Sequence, residues 1–167
     1  MANIICNTSP IQYLYQLDLL DILPALAERI IVPRAVVEEI STGRAAGVNL
    51  PDLTTLNWVD IRSPAGESAL PLVTDLGPGE TEVLMLALEL KDAIVILDDG
   101  LARRVAETLS IRLTGTLGLL LDAKRVGRVP AVAPLLDQLQ ALRFRVSPRV
   151  SHLTRAAVIK LAGEGQP

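Results

Sequence analysis

The sequence predicts a single α/β domain built on a mostly parallel sheet, and three observations lead there. Short apolar runs of strand type alternate along the chain with stretches of helical apolar periodicity, the β-then-α rhythm of parallel strands joined by crossover helices. One of those runs, residues 93–97, is apolar throughout, as suits a strand buried on both faces. The chain has 167 residues, enough to bury a substantial core and the usual size of one domain.

The first strand, residues 3–6, leads into a Thr8-Ser9-Pro10 turn, and helical patterns follow over 11–16 and 19–28. A second strand, 30–32, ends at Pro33, whose fixed φ and missing N–H suit the first turn of a helix running to Ile40. Residues 41–75 are rich in Gly, Pro, Ser and Asn, and only 57–62 reads as a strand, so this long connection is a place for a lid or a partner contact. Gly77-Pro78-Gly79-Glu80 then opens a helix to Leu90, and the apolar strand 93–97 stops at Asp98-Asp99-Gly100. A helix over 101–109, a strand at 111–113 and a helix over 115–125 come next. Helical patterns recur at 132–142 and 152–161, with an edge strand at 143–146 between them. The domain is expected to span 1–162, leaving 163–167 as a frayed tail.

Composition narrows the setting. Half the residues are apolar and the mean hydropathy is +0.39, yet charged residues, Pro and Gly interrupt every run well short of a membrane span, which predicts a soluble protein. The start of the chain lacks the basic and long apolar regions of a secretion signal. Lone Cys6 has no partner for a disulfide, and no Cys/His spacing suits zinc, which fits a reducing cytoplasm and a thiol packed in the core. The net charge of −3 conceals a split: residues 1–99 hold 15 acidic and 5 basic side chains, whereas 100–167 hold 4 and 11. Singly, these charges are solvated helix faces. As a group, Arg103, Arg104, Arg112, Lys124, Arg125, Arg128, Arg143, Arg145 and Arg149 offer phosphate contacts.

In a parallel sheet, functional groups gather where strands end and helices begin. Four such junctions carry oxygen ligands: Asn7, Thr8 and Ser9; Glu38 and Glu39; Glu80; and Asp98 with Asp99. Helical phase, about 100° per residue, separates some of them. Val36, Val37 and Ile40 set the apolar side of their helix, and Glu39 lies nearer to it than Glu38, which faces solvent. On the helix after Gly79, the stripe of Val83, Leu84, Leu86, Ala87 and Leu90 includes the direction of Glu80, while Glu82 and Glu89 point away. Each residue alone has a plainer reading: Glu80 as a first-turn carboxylate favoured by the helix dipole, Asp99 as an N-cap, Asn7 to Ser9 as turn chemistry. Those readings leave unexplained why all four junctions carry such groups. Converging carboxylates on apolar faces repel one another. A hydrated Mg²⁺ or Mn²⁺ relieves that repulsion and can activate water against a phosphodiester.

Five motifs stand in order: Asn7-Thr8-Ser9-Pro10-Ile11; Val32-Pro33-Arg34-Ala35-Val36-Val37-Glu38-Glu39-Ile40; Gly77-Pro78-Gly79-Glu80-Thr81-Glu82; Leu97-Asp98-Asp99-Gly100-Leu101-Ala102-Arg103-Arg104-Val105-Ala106; and Thr114-Gly115-Thr116-Leu117-Gly118-Leu119-Leu120. Together they closely resemble the DUF3368 branch of the PIN-domain superfamily over nearly the whole chain. The resemblance implies a three-layer α/β/α PIN-like fold, akin to FLAP-type nucleases. It also implies the activity of VapC-type toxins of toxin–antitoxin pairs, which cut RNA with Mg²⁺ or Mn²⁺ held by acidic residues. On that basis the metal ligands are Asn7, Glu39, Glu80 and one or both of Asp98 and Asp99, and the catalytic carboxylates are Glu39, Glu80, Asp98 and Asp99. Thr8 and Ser9 match hydroxyls that orient a metal-bound water, and Arg103 and Arg104 match arginines that hold substrate phosphate. The family pattern has Asp where this chain has Asn7. An amide carbonyl still ligates a hard cation but brings no charge, so affinity and activity should both weaken.

Two functions follow. One is a metal-dependent, toxin-like ribonuclease hydrolysing RNA phosphodiesters. The other is a catalytically inactive PIN-fold module that binds RNA or a protein partner, with Asn7 as its signature. A phosphoacceptor receiver domain fits poorly, because its acidic pair follows the first strand and here the pair comes late. High aliphatic content with few aromatics points to an interface, and a homodimer is expected. An antitoxin partner is implied by the resemblance alone.

Overall fold

A computed structural model describes residues 2–66, 75–142 and 155–164. Among the described residues the strands are β1 (Asn3–Cys6), β2 (Ile30–Pro33), β3 (Val59–Arg62), β4 (Ala93–Ile96) and β5 (Arg112–Thr114). The helices among the described residues are α1 (Thr8–Gln16), α2 (Ile22–Leu26), α3 (Arg34–Ala45), α4 (Pro78–Glu89), α5 (Gly100–Thr108), α6 (Thr116–Arg125), α7 (Ala133–Ala141) and α8 (Arg155–Leu161).

The strands form one sheet of order β3-β2-β1-β4-β5, and every pairing is parallel. Strands rich in Ile and Val suit this arrangement, because crossover helices cover both faces of a parallel sheet. β1 lies at the centre, with Ile5 opposite Ile31 on one side and Val95 on the other. The chain winds outward from β1 to β3, then returns to place β4 on the opposite flank of β1. Strand order therefore reverses between β1 and β4, where an open α/β sheet leaves a crevice at its carboxyl edge. Cys6 pairs with Ile96 at that edge, and the Asn7 N–H donates to the Ile96 carbonyl at 3.1 Å. The residues leaving β1 and β4 thus emerge side by side.

Helix α4 packs on β1, β2 and β4, with α3 against it and α1 against α3, and helices flank the sheet in a three-layer α/β/α arrangement. The core joins Ile5, Val32, Val95 and Ile96 of the sheet to Leu14, Val36, Ile40, Val83, Leu84 and Leu120 of the helices, all at most 1% exposed. An apolar groove of about 710 Å³ is floored by Ile4, Ile94 and Ile96 and bordered by Leu23, Leu26 and Leu119 from α2 and α6. Among the described residues no helix is long and apolar enough to cross a membrane.

Several boundaries differ from expectation for local reasons. The Thr8-Ser9-Pro10 turn is in fact the first turn of α1, where a missing proline N–H has no intrahelical acceptor to lose. The expected 19–28 helix contracts to Ile22–Leu26, because Asp18 adopts φ 58° just after α1 and the chain must first turn back. α3 continues past Ile40 to Ala45, which shortens the long connection. The expected edge strand at 143–146 lies outside the described residues, as do 67–74, 152–154 and 165–167.

Candidate metal centre

Asn7 is the first residue after β1 and is 1% exposed. It stands at the N-cap of α1 but makes no side-chain cap hydrogen bond there. Its amide faces the sheet edge instead. Nδ2 donates to Glu80 Oε1 at 3.2 Å, whereas Oδ1 is buried without a donor. Leaving a buried acceptor unmatched costs about 1–3 kcal/mol, so such an atom needs a reason.

Glu39, midway along α3, reaches the same place. Its Oε2 accepts from Thr8 Oγ1 at 2.5 Å, and its Oε1 accepts from the Gly79 N–H at 3.0 Å. That N–H lies in the first turn of α4, where Gly77 caps without a side chain, and the helix dipole favours a carboxylate there. A Cβ on Gly79 would lie 2.8 Å from both Glu39 oxygens and 3.1 Å from Asn7 Oδ1. Three oxygens crowd one point, and only glycine leaves them room. Glu80, next along α4, is partly buried, as its helical phase requires.

The Asp98–Asp99 pair divides. Asp99 is exposed and caps α5, accepting from the Ala102 N–H at 2.8 Å. Asp98 turns toward α6, where Oδ1 accepts from the Thr116 N–H at 2.8 Å and Oδ2 from Thr116 Oγ1 at 2.6 Å. Arg103 lies beside it, donating to the Leu97 carbonyl at 2.7 Å. Gly115 makes space for both, since a Cβ there would lie 2.8 Å from the Arg103 guanidinium and from Asp98 Oδ1. Burial pushes the Asp98 carboxyl above its usual range, against the pull of Thr116 and Arg103. Burial, and then the Asp98 charge, push the Cys6 thiol well up, which leaves it an inert core group.

Asn7, Thr8, Glu39 and Glu80 therefore meet around Gly79, Asp98 is held against Thr116 and Arg103, and Asp99 is turned to a cap. Ser9 is partly buried on the first turn of α1, while Glu38 and Arg104 are exposed. Among the described residues no three His, Cys, Asp or Glu side chains gather as a metal-binding group. The cluster at Gly79 holds two carboxylates, with the Asn7 amide as its third arm. Its donors are all oxygens and suit a hard divalent cation that keeps several waters. Asn7 Oδ1 and the Glu39 oxygens are acceptors that converge on one point beside Gly79, a placement that a cation would stabilise. The residues present fit such an ion.

Sequence reasoning missed Glu82, which was expected to point away. Its Oε2 accepts from the Ala35 N–H at 2.9 Å. The available signal was Pro33: a helix whose N-cap offers no side-chain acceptor needs one from elsewhere. The basic group is partly occupied as well, with Arg112 paired to Asp92, Lys124 to Glu164 and Arg125 to Asp122. Arg143, Arg145 and Arg149 lie outside the described residues.

A family model for DUF3368, described as a PIN domain, matches residues 3–164. The chain belongs to this PIN-domain family. All five motifs fall inside the matched span, and the PIN fold is nuclease-type. PIN domains generally use divalent metal ions and commonly bind RNA. No curated protein matches this PIN domain.

Proposed function

We propose that this PIN domain is a metal-dependent ribonuclease, toxin-like in its chemistry, that hydrolyses RNA phosphodiesters. The observation that carries the reading is Asn7 Oδ1, buried, without a donor, and converging with both Glu39 oxygens on the space at Gly79. Asn7, Glu39 and Glu80 would hold Mg²⁺ or Mn²⁺, with Asp98 supplied from the neighbouring strand end. A cation bound there supplies charge that polarises a phosphate and acidifies a water.

The remaining work falls to the chain itself. Thr8 and the Gly79 N–H orient the Glu39 carboxylate. Arg103 is anchored by one nitrogen on the Leu97 carbonyl, and its other N–H groups, with exposed Arg104 beside it on α5, are suited to a phosphate. In this reading the protein acts as a cytoplasmic homodimer, and a toxin role would bring an antitoxin partner.

The second reading, a catalytically inactive PIN module that binds RNA or a protein, is favoured by the Asn7 Nδ2 bond to Glu80. That bond gives Glu80 a donor without any cation. Calorimetric titration with Mn²⁺ and cleavage of single-stranded RNA in Mg²⁺ separate the two. In the ribonuclease reading, Asn7→Asp raises cation affinity and cleavage by about tenfold, because ligand charge sets affinity. Glu80→Gln lowers cleavage by about a hundredfold, in the range seen when a metal site loses a supporting group. Wild type and Glu80→Gln that are equally inactive, with no Mn²⁺ bound, would favour the binding module instead.

A further inference from the structure

Glu82 lies outside the cluster at Gly79, yet it makes one of the longest-range side-chain bonds in the fold, from α4 to the Ala35 N–H across 47 positions. Ala35 sits in the first turn of α3, whose N-cap, Pro33, has no side-chain acceptor. Glu82 therefore supplies from α4 the acceptor that α3 lacks. The relation is reciprocal, because α4 begins at Gly77 with no side-chain cap of its own. Glu39 of α3 supplies that acceptor to Gly79. Each helix caps the other, and the Glu39–Gly79 bond lies at the point where Glu39 and Asn7 meet. Apolar packing between α3 and α4 tolerates small slides, whereas directional bonds at both helix starts do not.

We infer that Glu82 is a positioning residue of the cation site: by capping α3 from α4, it sets where Glu39 stands relative to Asn7 and Glu80. The inference rests on reading that cluster as a cation site. It adds a residue that touches neither cation nor substrate. What matters is an acceptor oxygen within reach of the Ala35 N–H, not the negative charge that carries it.

The test uses the full chain as wild type, Glu82→Ala and Glu82→Gln. Mn²⁺ affinity is measured by calorimetry, and amide exchange at Gly79 and Ala35 is followed by NMR in metal-free protein. Glu82→Gln, which keeps the acceptor, is expected to stay within about twofold of wild type in both measurements. Glu82→Ala is expected to bind Mn²⁺ about tenfold more weakly and to exchange at Gly79 about tenfold faster, the size of a lost cap, while its circular dichroism stays that of a folded protein. Should Glu82→Ala not fold, Glu82→Asp, one methylene too short, carries the same comparison. Glu82→Gln as impaired as Glu82→Ala would show that charge rather than the acceptor matters and would overturn the inference, as would Glu82→Ala indistinguishable from wild type. A wild type that binds no Mn²⁺ overturns the cation reading and the role at the site together. Faster exchange at Gly79 in Glu82→Ala would then leave the contact as a structural brace only.

Discussion

Asn7 and Gly79 meet at a distance that leaves no room for an added carbon. The position of a Cβ on Gly79 is contested by two oxygens of Glu39 and one of Asn7, and the Glu39 oxygens are already bound to Thr8 and to the Gly79 N–H itself. Gly79→Ala must therefore push Glu39 away or shift the start of α4. Overpacking of this kind costs about 1–3 kcal/mol. The expected outcome is a melting temperature lowered by several degrees and weakened Mn²⁺ binding, checked by thermal denaturation and calorimetry on the same preparation. The need for an oxygen-bearing side chain at Asn7 was legible from its place after the first strand. That its Oδ1 has no donor was not, because side-chain partners come from α3 and α4, more than thirty positions away.

Helix starts recur as the weak points of this fold, and side chains from other elements close them. α7 begins at Val132 without a side-chain cap of its own. Glu164, just beyond α8, accepts from the Val132 and Ala133 N–H groups at 2.6 and 2.8 Å, and Lys124 Nζ donates to it at 2.6 Å. Those bonds, that of Lys124 foremost, draw the Glu164 carboxyl from 4.5 down to about 2. A carboxyl depressed in the folded state stabilises fully above its unfolded value and loses that contribution as pH falls through its folded one. Amide protection at Val132 and Ala133 is therefore expected to decline between about pH 4.5 and pH 2. Glu164→Gln should be flat over that window, as NMR exchange measurements would show. Fraying was expected from residue 163 onward, because Gly163 and Gly165 surround a lone acid. Nothing local says that this acid meets α6 and α7.

Across the whole molecule, charge and surface divide the labour. Asn7, Glu39, Glu80 and Asp98 all come from the acidic first part of the chain, and the parallel topology brings them to one edge. The basic second part is less available than its count implies, since Arg112, Lys124 and Arg125 already hold carboxylates. Large apolar side chains exposed among the described residues are Val48, Leu88, Val126 and Leu161. Val126 also borders the groove between α2 and α6, so apolar surface there is continuous rather than scattered. A homodimer is the expected state. Light scattering at micromolar concentration should return twice the 17.9 kDa chain mass, and a monomer mass would reject it.

By itself the sequence determined the α/β class, the order of strands and helices over the described residues up to Leu142, and the junctions where oxygen ligands stand. Those follow from apolar periodicity and from Gly, Pro and Asp at element ends, which act within a few residues. Only the tertiary structure decided the partners. It paired the five described strands in parallel, sent Asp99 to a cap and Asp98 to Thr116, and turned Glu82 from an outward face into the cap of α3. The physical reason is one of range: backbone preference and helical phase are local, whereas a buried oxygen takes whichever donor the packing of distant elements brings within about 3 Å.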